Sequence, residues 1–262
     1  GIVGGVRNGV FHSPYSAPYG GFSYVFEAVD TKYIELASLW LIRWATKKKF
    51  DAVSITIPPA FYNSSFISKE INCLWREGFE ISAVDLNHYF NLDRFDEKYT
   101  ESISYNGRRN LRISIQSGLK FSKSMNDNEK KIAYEIVLEN RASHGFPLRM
   151  TWEQVYETAK IINADFFLVN DMEKPIAAAI VFHVTHSIVQ VIYWGDRVGY
   201  SEKKPMNFLA FKLFEYYKNV GIKIIDLGPS TLNSVPNHGL CEFKESLGCT
   251  TSDKLSLIAT LQ

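Results

Sequence analysis

The sequence predicts an α/β (α+β) fold in which mixed sheets are flanked by helices. Residues 51–57 alternate apolar and polar side chains, which indicates a strand, whereas residues 31–48 repeat apolar side chains at helical spacing. Residues 172–175 form a tight turn that joins two strands antiparallel, while a strand–helix–strand passage requires a parallel crossover. Antiparallel and parallel connections together predict a mixed sheet covered by helices.

The first half of the chain predicts strands and two helices in alternation. Residues 2–11 read as a strand, a turn and a strand, followed by a loop rich in Pro, Gly and Tyr at 12–21. The predicted elements after this loop are a short strand at 22–25, a helix at 31–48, a strand at 51–57, a helix at 65–77 and strands at 79–91, 101–103 and 111–115. Residues 1–5 resemble the middle of a strand, so we expect a fragment that lacks its first elements.

A polar segment at 117–128 suggests a boundary between two domains, residues 1–120 and 121–262. The second half repeats the first in outline. It predicts helices at 128–143, 151–162, 207–220 and 241–247, and strands at 165–170, 175–183, 187–194, 223–227 and 254–261. Thr151 suits the N-cap of its helix, with Glu153 in the first turn.

Composition excludes several classes of function. Lys and Arg number 29 against 28 Asp and Glu, which argues against a general polyanion binder. The three cysteines form no C-x-x-C pair, so they predict reduced thiols in a cytoplasmic protein rather than disulfides or zinc ligands. His183 and His186 are three apart on a predicted strand and face opposite sides, so no metal is expected. No apolar run of about 18 residues exists, so no membrane span is predicted.

Four segments of the second half, in order, resemble the Fem-type (FemAB-like) branch of the GNAT superfamily of acyltransferases. They are Tyr193-Trp194-Gly195, Asn207-Phe208-Leu209, GIKIIDLG at 221–228 and NHGLCEFKESLG at 237–248. Leu247 stands where that last signature has Phe. The loop SPYSAPYGG at 13–21 is similar to one in short relatives of the same branch. The resemblance covers nearly the whole chain and implies tandem GNAT-like domains, the first of them degenerate.

The resemblance implies transfer of an acyl or aminoacyl group to an amine, with a peptidoglycan precursor as one acceptor. Acyl-coenzyme A and aminoacyl-tRNA remain alternative donors. The helical arm of members that use aminoacyl-tRNA is absent, which favours acyl-coenzyme A, although residues 197–201 match the usual pyrophosphate loop poorly. The alternative function is a non-catalytic GNAT-like module that binds a peptide or a sugar, because a fold does not fix a function.

Three residues are candidates for catalysis. The resemblance places Lys244 at the active site, where the matching lysine steadies negative charge; the alternative is a solvated helix lysine. Asp226 follows a predicted strand and precedes a glycine turn, so it either accepts the proton of the amine or orders the loop. Tyr193 is a candidate general acid, or else a core tyrosine with its hydroxyl at the rim.

Four residues are candidates for holding the phosphates of the donor. Asn207 is expected to cap its helix and present the first amides to a phosphate, or to serve as a plain N-cap. Arg197, Lys203 and Lys204 precede that helix and either neutralise a pyrophosphate or form a solvated cluster of charges.

Six further residues are candidates for binding the substrate. Tyr15 and Tyr19 belong to the SPYSAPYGG loop, which either stacks on a sugar or peptide or forms a rigid connection. The others lie in the resembling segments of the second half: Trp194, Asn237, His238 and Phe243. For His238 the alternative is an exposed loop histidine.

Overall fold

A computed structural model of the chain describes residues 1–25, 29–146 and 148–261. Within them lie twelve strands and eight α-helices. The first elements are β1 (Gly5–Arg7), β2 (Val10–Ser13), α1 (Thr31–Lys47), β3 (Ala52–Thr56), α2 (Ser64–Arg76), β4 (Glu80–Asn91), α3 (Tyr99–Ser102), α4 (Tyr105–Gln116), β5 (Lys120–Lys123) and α5 (Asp127–Ser143). The rest are α6 (Trp152–Ile161), β6 (Ala164–Asp171), β7 (Lys174–His183), β8 (Ile188–Asp196), α7 (Pro205–Asn219), β9 (Ile224–Pro229), β10 (Thr231–Leu232), β11 (Val235–Pro236), α8 (His238–Ser246) and β12 (Thr250–Thr260).

The contacts between residues divide the chain into two compact units. Unit one comprises Gly1–Asn87, Pro229–Asn237 and Thr251–Gln262, and unit two comprises His88–Gly228 and His238–Thr250. Each unit combines parallel and antiparallel strand pairs with flanking helices. The predicted α/β class with mixed sheets is thereby confirmed, while the domain boundary near residue 120 stays a prediction.

Unit one is built on strands in the order β1-β2-β3-β12-β4. β2 runs parallel to β3, and β12 runs antiparallel to β3. Helix α1 buries one face, Ile34, Ser38, Leu41 and Ala45, at spacings of four, three and four residues. This spacing keeps the buried side chains on one side of the helix and leaves the opposite face outside the core.

Unit two has strands in the order β9-β8-β7-β6-β5. β7 is buried almost without interruption, with Ala177, Ala178 and Ala179 fully buried. Helices α5 and α7 both contact β7, and they belong to two separate core clusters. A strand covered on both faces is apolar on both, which explains why β7 lacks the polar alternation of a half-exposed strand.

The predicted strands at 101–103 and 111–115 are wrong, because α3 extends to Ser102 and α4 covers the second segment. α4 is capped by the Ser104 hydroxyl, which accepts a hydrogen bond from the Gly107 amide at 3.0 Å. The buried residues of α4 are Gly107, Leu111 and Ser114, spaced for a helix face, whereas Ile115 is half exposed. The alternation of Leu111, Ile113 and Ile115 was too short to distinguish the two structures.

Smaller differences concern element ends. The predicted short strand at 22–25 is a single bridge between Ile2 and Phe22, and β5 was not predicted. α7 begins at Pro205 rather than Asn207, and α8 begins at His238 rather than Cys241. None of the helices in the described ranges is long and apolar enough to cross a membrane.

Candidate functional site

Strands β8 and β9 of unit two pair over a short distance. The parallel register joins Ile188 to Ile224, Val189 to Ile225 and Gln190 to Asp226. Beyond Gln190, β8 continues to Asp196 and remains paired with β7 on its other side. Asp226, in the middle of β9, therefore lies where the parallel pairing with β8 ends.

A β-bulge interrupts β8 just beyond this point. Ile180 pairs with Tyr193 and Val181 pairs with Val191, so Ile192 is the extra residue. As a result Ile192 and Tyr193 both pack against the cluster formed with α5 and α6. Trp194, the next residue, packs instead against the cluster formed with α7. Tyr193 and Trp194 thus lie on opposite faces of the sheet.

The side chain of Asp226 is fully buried and hydrogen bonded through both oxygens. Oδ2 accepts a bond of 2.7 Å from Gln190 Nε2, and Oδ1 accepts one of 2.8 Å from the Gly228 amide. These bonds hold the last part of β9 in place, in agreement with the alternative in which Asp226 orders the backbone that follows it. Sequence reasoning missed Gln190, although a lone amide in the otherwise apolar segment IVQVI was a usable signal.

The ammonium of Lys244 lies inside unit two, although it projects from α8. The residue is 1% exposed, and Nζ donates a hydrogen bond of 2.8 Å to the carbonyl oxygen of Gly228. Burial lowers the pKa of Lys244 to about 8, against the smaller opposing effects of Cys249, Asp226 and Cys241. This burial excludes the alternative of a solvated helix lysine.

Two residues near Lys244 were not singled out by the sequence. His88, at the end of β4, is fully buried, with Nε2 at 3.8 Å from Glu245 Oε1. Burial and then the charge of Lys244 lower the pKa of His88, so its imidazole is neutral at pH 7. Burial raises the pKa of Cys249 to about 12, so its thiol is protonated. The neighbourhood of Lys244 thus contains a neutral base and a neutral thiol.

Aromatic residues from two of the resembling segments meet at this site. The rings of Trp194 and Phe243 lie 5.6 Å apart, which connects the end of β8 to α8 next to Lys244. Tyr193 is half buried, and burial raises the pKa of its hydroxyl. Asn237 and His238, at the start of α8, are exposed. The roles of these five residues stay predictions.

The first turn of α7 differs from the predicted cap. Lys204, not Asn207, is the N-cap residue, with a left-handed backbone at φ 52°. The amides of Asn207 and Phe208 both donate to the Lys204 carbonyl, and Pro205 has no amide hydrogen. Met206 is therefore the residue of this turn whose amide could donate to a ligand. Asn207 is 5% exposed, and its Nδ2 has no hydrogen-bond partner in the described part of the chain.

The two other cations before α7 form ion pairs within unit two. Arg197 forms two bonds to the carboxylate of Glu139, at 2.9 and 3.3 Å, and one of 3.0 Å to the Pro175 carbonyl. Lys203 Nζ lies 2.6 Å from Asp171 Oδ2. Both side chains therefore need to exchange a carboxylate partner before they can bind a pyrophosphate. No group of three or more His, Cys, Asp or Glu side chains in the described ranges could hold a metal ion.

The SPYSAPYGG loop of unit one is held by hydrogen bonds at both ends. The Ser13 hydroxyl donates to Val3 O at 2.7 Å and accepts from the Gly21 amide at 3.1 Å. Tyr15 is half exposed and lies beneath the Arg7 guanidinium, 5.1 Å from ring centre to charge. The Tyr19 ring lies 4.9 Å from that of Tyr62. A rigid connection and a stacking surface are both compatible with this arrangement.

Solved structures share the fold along almost the whole chain. The crystal structure of FemX matches with a TM-score of 0.68 and 14% identity, over 99% of this chain and 87% of that one. L-PGS from Bacillus licheniformis matches with a TM-score of 0.64 and 15% identity, over 98% and 79%. A GCN5-related N-acetyltransferase from Sphaerobacter thermophilus gives a TM-score of 0.52 and 12% identity, over 86% and 68%.

These likenesses confirm the predicted fold, which the chain shares with FemX, L-PGS and this GCN5-related N-acetyltransferase. Identities of this size describe the fold and leave the substrate open. No protein-family model matches the sequence, and no curated protein sequence matches it significantly.

Proposed function

We propose that the protein is an N-acyltransferase that moves an acyl or aminoacyl group from an activated donor to an amine. The observation that supports this most is the burial of the Lys244 ammonium against the Gly228 carbonyl at the end of β9. A buried cation at a strand end is an effective stabiliser of negative charge, because low polarity strengthens its field. Attack of an amine on a carbonyl generates such a charge.

The proposed reaction has three parts. A neutral amine attacks the acyl carbon of the donor, and the oxygen that becomes negative is stabilised by the Lys244 ammonium. The amine then loses a proton to a base, for which Asp226 is the predicted acceptor and the neutral imidazole of His88 is a second candidate. The leaving group of the donor departs, and the new amide retains the acyl group.

Acyl-coenzyme A is the donor that we favour. The partnerless amide of Asn207 supports a ligand beside the first turn of α7, because a buried donor without an acceptor is uncommon in a native fold. The amide of Met206 and the partial positive charge of a helix N-terminus suit a phosphate there. Aminoacyl-tRNA is the alternative donor, a peptidoglycan precursor is one acceptor, and the cytoplasm is the expected compartment.

The test is product formation followed by mass spectrometry. The protein is incubated with acetyl-coenzyme A and a panel of amines, including amino sugars and lysine-containing peptides, with Lys244→Met beside the wild type. We expect acetylated product from the wild type and a loss of at least 100-fold in the variant, about the effect of one oxyanion donor. Lys218→Met, on an exposed part of α7, is the matched control and should retain activity.

A non-catalytic binding module is the second candidate, because both oxygens of Asp226 are already hydrogen bonded within the protein. It predicts a rise in melting temperature with a ligand but no product. Ligand binding without product, from every donor including aminoacyl-tRNA, would favour this alternative over the enzyme.

A further inference from the structure

Helix α1 of unit one carries an apolar stripe on its exposed face. Tyr33, Leu36, Trp40 and Trp44, which we call the α1 stripe, are 58%, 49%, 63% and 39% exposed. Their spacings of three, four and four residues place them within an arc of roughly 80° on the helix. The stripe extends about 16 Å along the axis, at 1.5 Å per residue. Contiguous exposed aromatic side chains of this kind mark an interaction surface.

The core holds this helix in place from the opposite side. Leu41 and Ala45 pack into the hydrophobic cluster of unit one, and Ile34 packs into a smaller one with Phe66 and Cys73. Trp44 is braced from the side by the rings of Phe11 and Phe50, at 5.1 and 5.3 Å. The stripe is therefore presented by a fixed element of the fold rather than by a mobile loop.

Positive charge surrounds the stripe. Residues 30–49 contain five basic residues and two acidic residues, whereas the whole chain is nearly neutral, at +1. Glu35 is paired with Arg76 at 2.8 Å, and Asp30 lies 3.6 Å from Lys32, where both side chains are exposed. Lys32 and Arg43 lie on the same side of the helix as the stripe and over its rings, 4.9 Å from Tyr33 and 5.8 Å from Trp40. Lys47 follows one turn later.

We propose that α1 docks on the surface of a bilayer that contains anionic phospholipids. Trp and Tyr side chains favour the boundary between headgroups and acyl chains, and Leu36 and Trp40 suit insertion to a shallow depth. Lys32, Arg43 and Lys47 then lie at the level of the phosphates. This is attachment of one helix face to the membrane surface, and it does not depend on the proposed acyltransferase activity.

The stripe itself distinguishes this partner from a nucleic acid or a second copy of the chain. A nucleic acid requires cations along the contact, whereas the middle of this face is formed by Leu36 and Trp40. A second copy would set the positive charge around each stripe against the same charge on its partner. Anionic headgroups complement the basic side chains, while the acyl region accepts the apolar ones.

Vesicle sedimentation tests the proposal with the full chain. Binding is measured to phosphatidylcholine vesicles and to vesicles with about one quarter phosphatidylglycerol. We expect the wild type to sediment with the mixed vesicles and to be released by salt. The double variant Leu36→Ser/Trp40→Ser should lose at least about tenfold in partition. The triple variant Lys32→Gln/Arg43→Gln/Lys47→Gln should lose roughly fivefold for each charge removed.

Ile161→Ser is the matched control, because Ile161 is an apolar residue on α6 with 86% exposure. It should bind vesicles as the wild type does. The proposal is overturned if the wild type ignores both vesicles, or if the double variant binds as well as the wild type. Two other outcomes, each without vesicle binding, would assign the α1 stripe to a different partner. If the wild type is a dimer and the double variant is a monomer, the partner is a second copy of the chain. If the wild type binds RNA and the double variant does not, the partner is RNA. If the double variant fails to fold, the test is vesicle binding by the triple variant together with the release of the wild type by salt. Binding that neither the triple substitution nor salt weakens would overturn the proposal.

Discussion

Replacement of Lys244 by methionine separates a catalytic lysine from a structural one. Burial lowers the pKa of this lysine from 10.5 to about 8. A shift of this size means that the charged form is disfavoured in the folded protein by about 3 kcal/mol at pH 7. Methionine removes that penalty and fills similar space, but it leaves the Gly228 carbonyl without this donor, at a cost of about 1–2 kcal/mol. The expected net change in the free energy of unfolding is therefore about 1–2 kcal/mol of added stability.

The stability difference between the wild type and the same variant should depend on pH. Between pH 8 and 10.5 the unfolded chain keeps the proton on Lys244 while the folded protein releases it. The unfolded state then binds more protons, so the free energy of unfolding of the wild type rises with pH across this window. Methionine has no proton to release, so Lys244→Met lacks this pH dependence. Its gain in the free energy of unfolding over the wild type should be greatest at pH 7 and should become smaller as the pH approaches 10.

Urea unfolding at pH 7 and pH 10, with equal m values for both proteins, measures this difference. A methionine variant that is several kcal/mol less stable at pH 7 would show that the lysine holds the fold together. A difference in stability that does not change with pH would show that burial does not perturb its ionisation. Either result refutes the reasoning, and activity retained in the variant refutes the catalytic role.

Three further changes test other parts of the structure. Burial raises the pKa of Glu70 from 4.5 to about 7, and its carboxylate accepts a hydrogen bond from the Phe22 amide. The folded protein binds more protons than the unfolded chain between these two values, so the free energy of unfolding falls as the pH rises from 4.5 to about 7. By urea unfolding, Glu70→Gln should therefore gain up to about 3 kcal/mol at pH 8 and little at pH 5. Burial opposes ionisation of Asp165, but its hydrogen bonds, led by the one from Lys123, lower its pKa overall. The free energy of unfolding of Asp165→Asn should therefore be about 2–4 kcal/mol lower than that of the wild type at pH 7. The difference between the two proteins should become smaller at pH 2–3, where the carboxylate is protonated. Asn207→Leu should leave stability equal or about 1 kcal/mol higher, because its amide is partnerless, while the rise in melting temperature with acetyl-coenzyme A shrinks.

The elements that the sequence predicted well are those whose periodicity is long. The sequence predicts α1 and α5 to within a residue or two because their helical spacing extends over many residues, and β7 because a tight turn precedes a continuous apolar run. Residues 111–115 of α4 predict a strand because three alternating apolar residues cannot distinguish a strand from a helix. Tertiary contacts determine that the segment is helical. Gly107 in α4 leaves no room for a Cβ against the Ser246 carbonyl, a long-range contact that no local pattern reveals.

The candidate site was predictable to a different extent. The FK segment of the terminal signature indicated Lys244, yet burial of its ammonium follows from packing that is distant in sequence. Arg197 and Lys203 resembled donor ligands because only their charge is visible in the sequence. Their carboxylate partners, Glu139 and Asp171, lie 58 and 32 residues away.

Two buried charged groups of unit two show why Lys244 is the better candidate for chemistry. Asp165 receives hydrogen bonds from Lys123, His183 and Tyr217, and its pKa is lowered, which means that the fold favours its charged form. The pKa of Lys244 is lowered as well, but for a lysine this direction means that the fold disfavours the charged form. An ion that the fold stabilises contributes to the fold, whereas one that it opposes is available to stabilise a charge brought by a substrate. A carboxylate or phosphate bound beside the ammonium should therefore raise the pKa of Lys244, a change that NMR of the labelled side chain would measure.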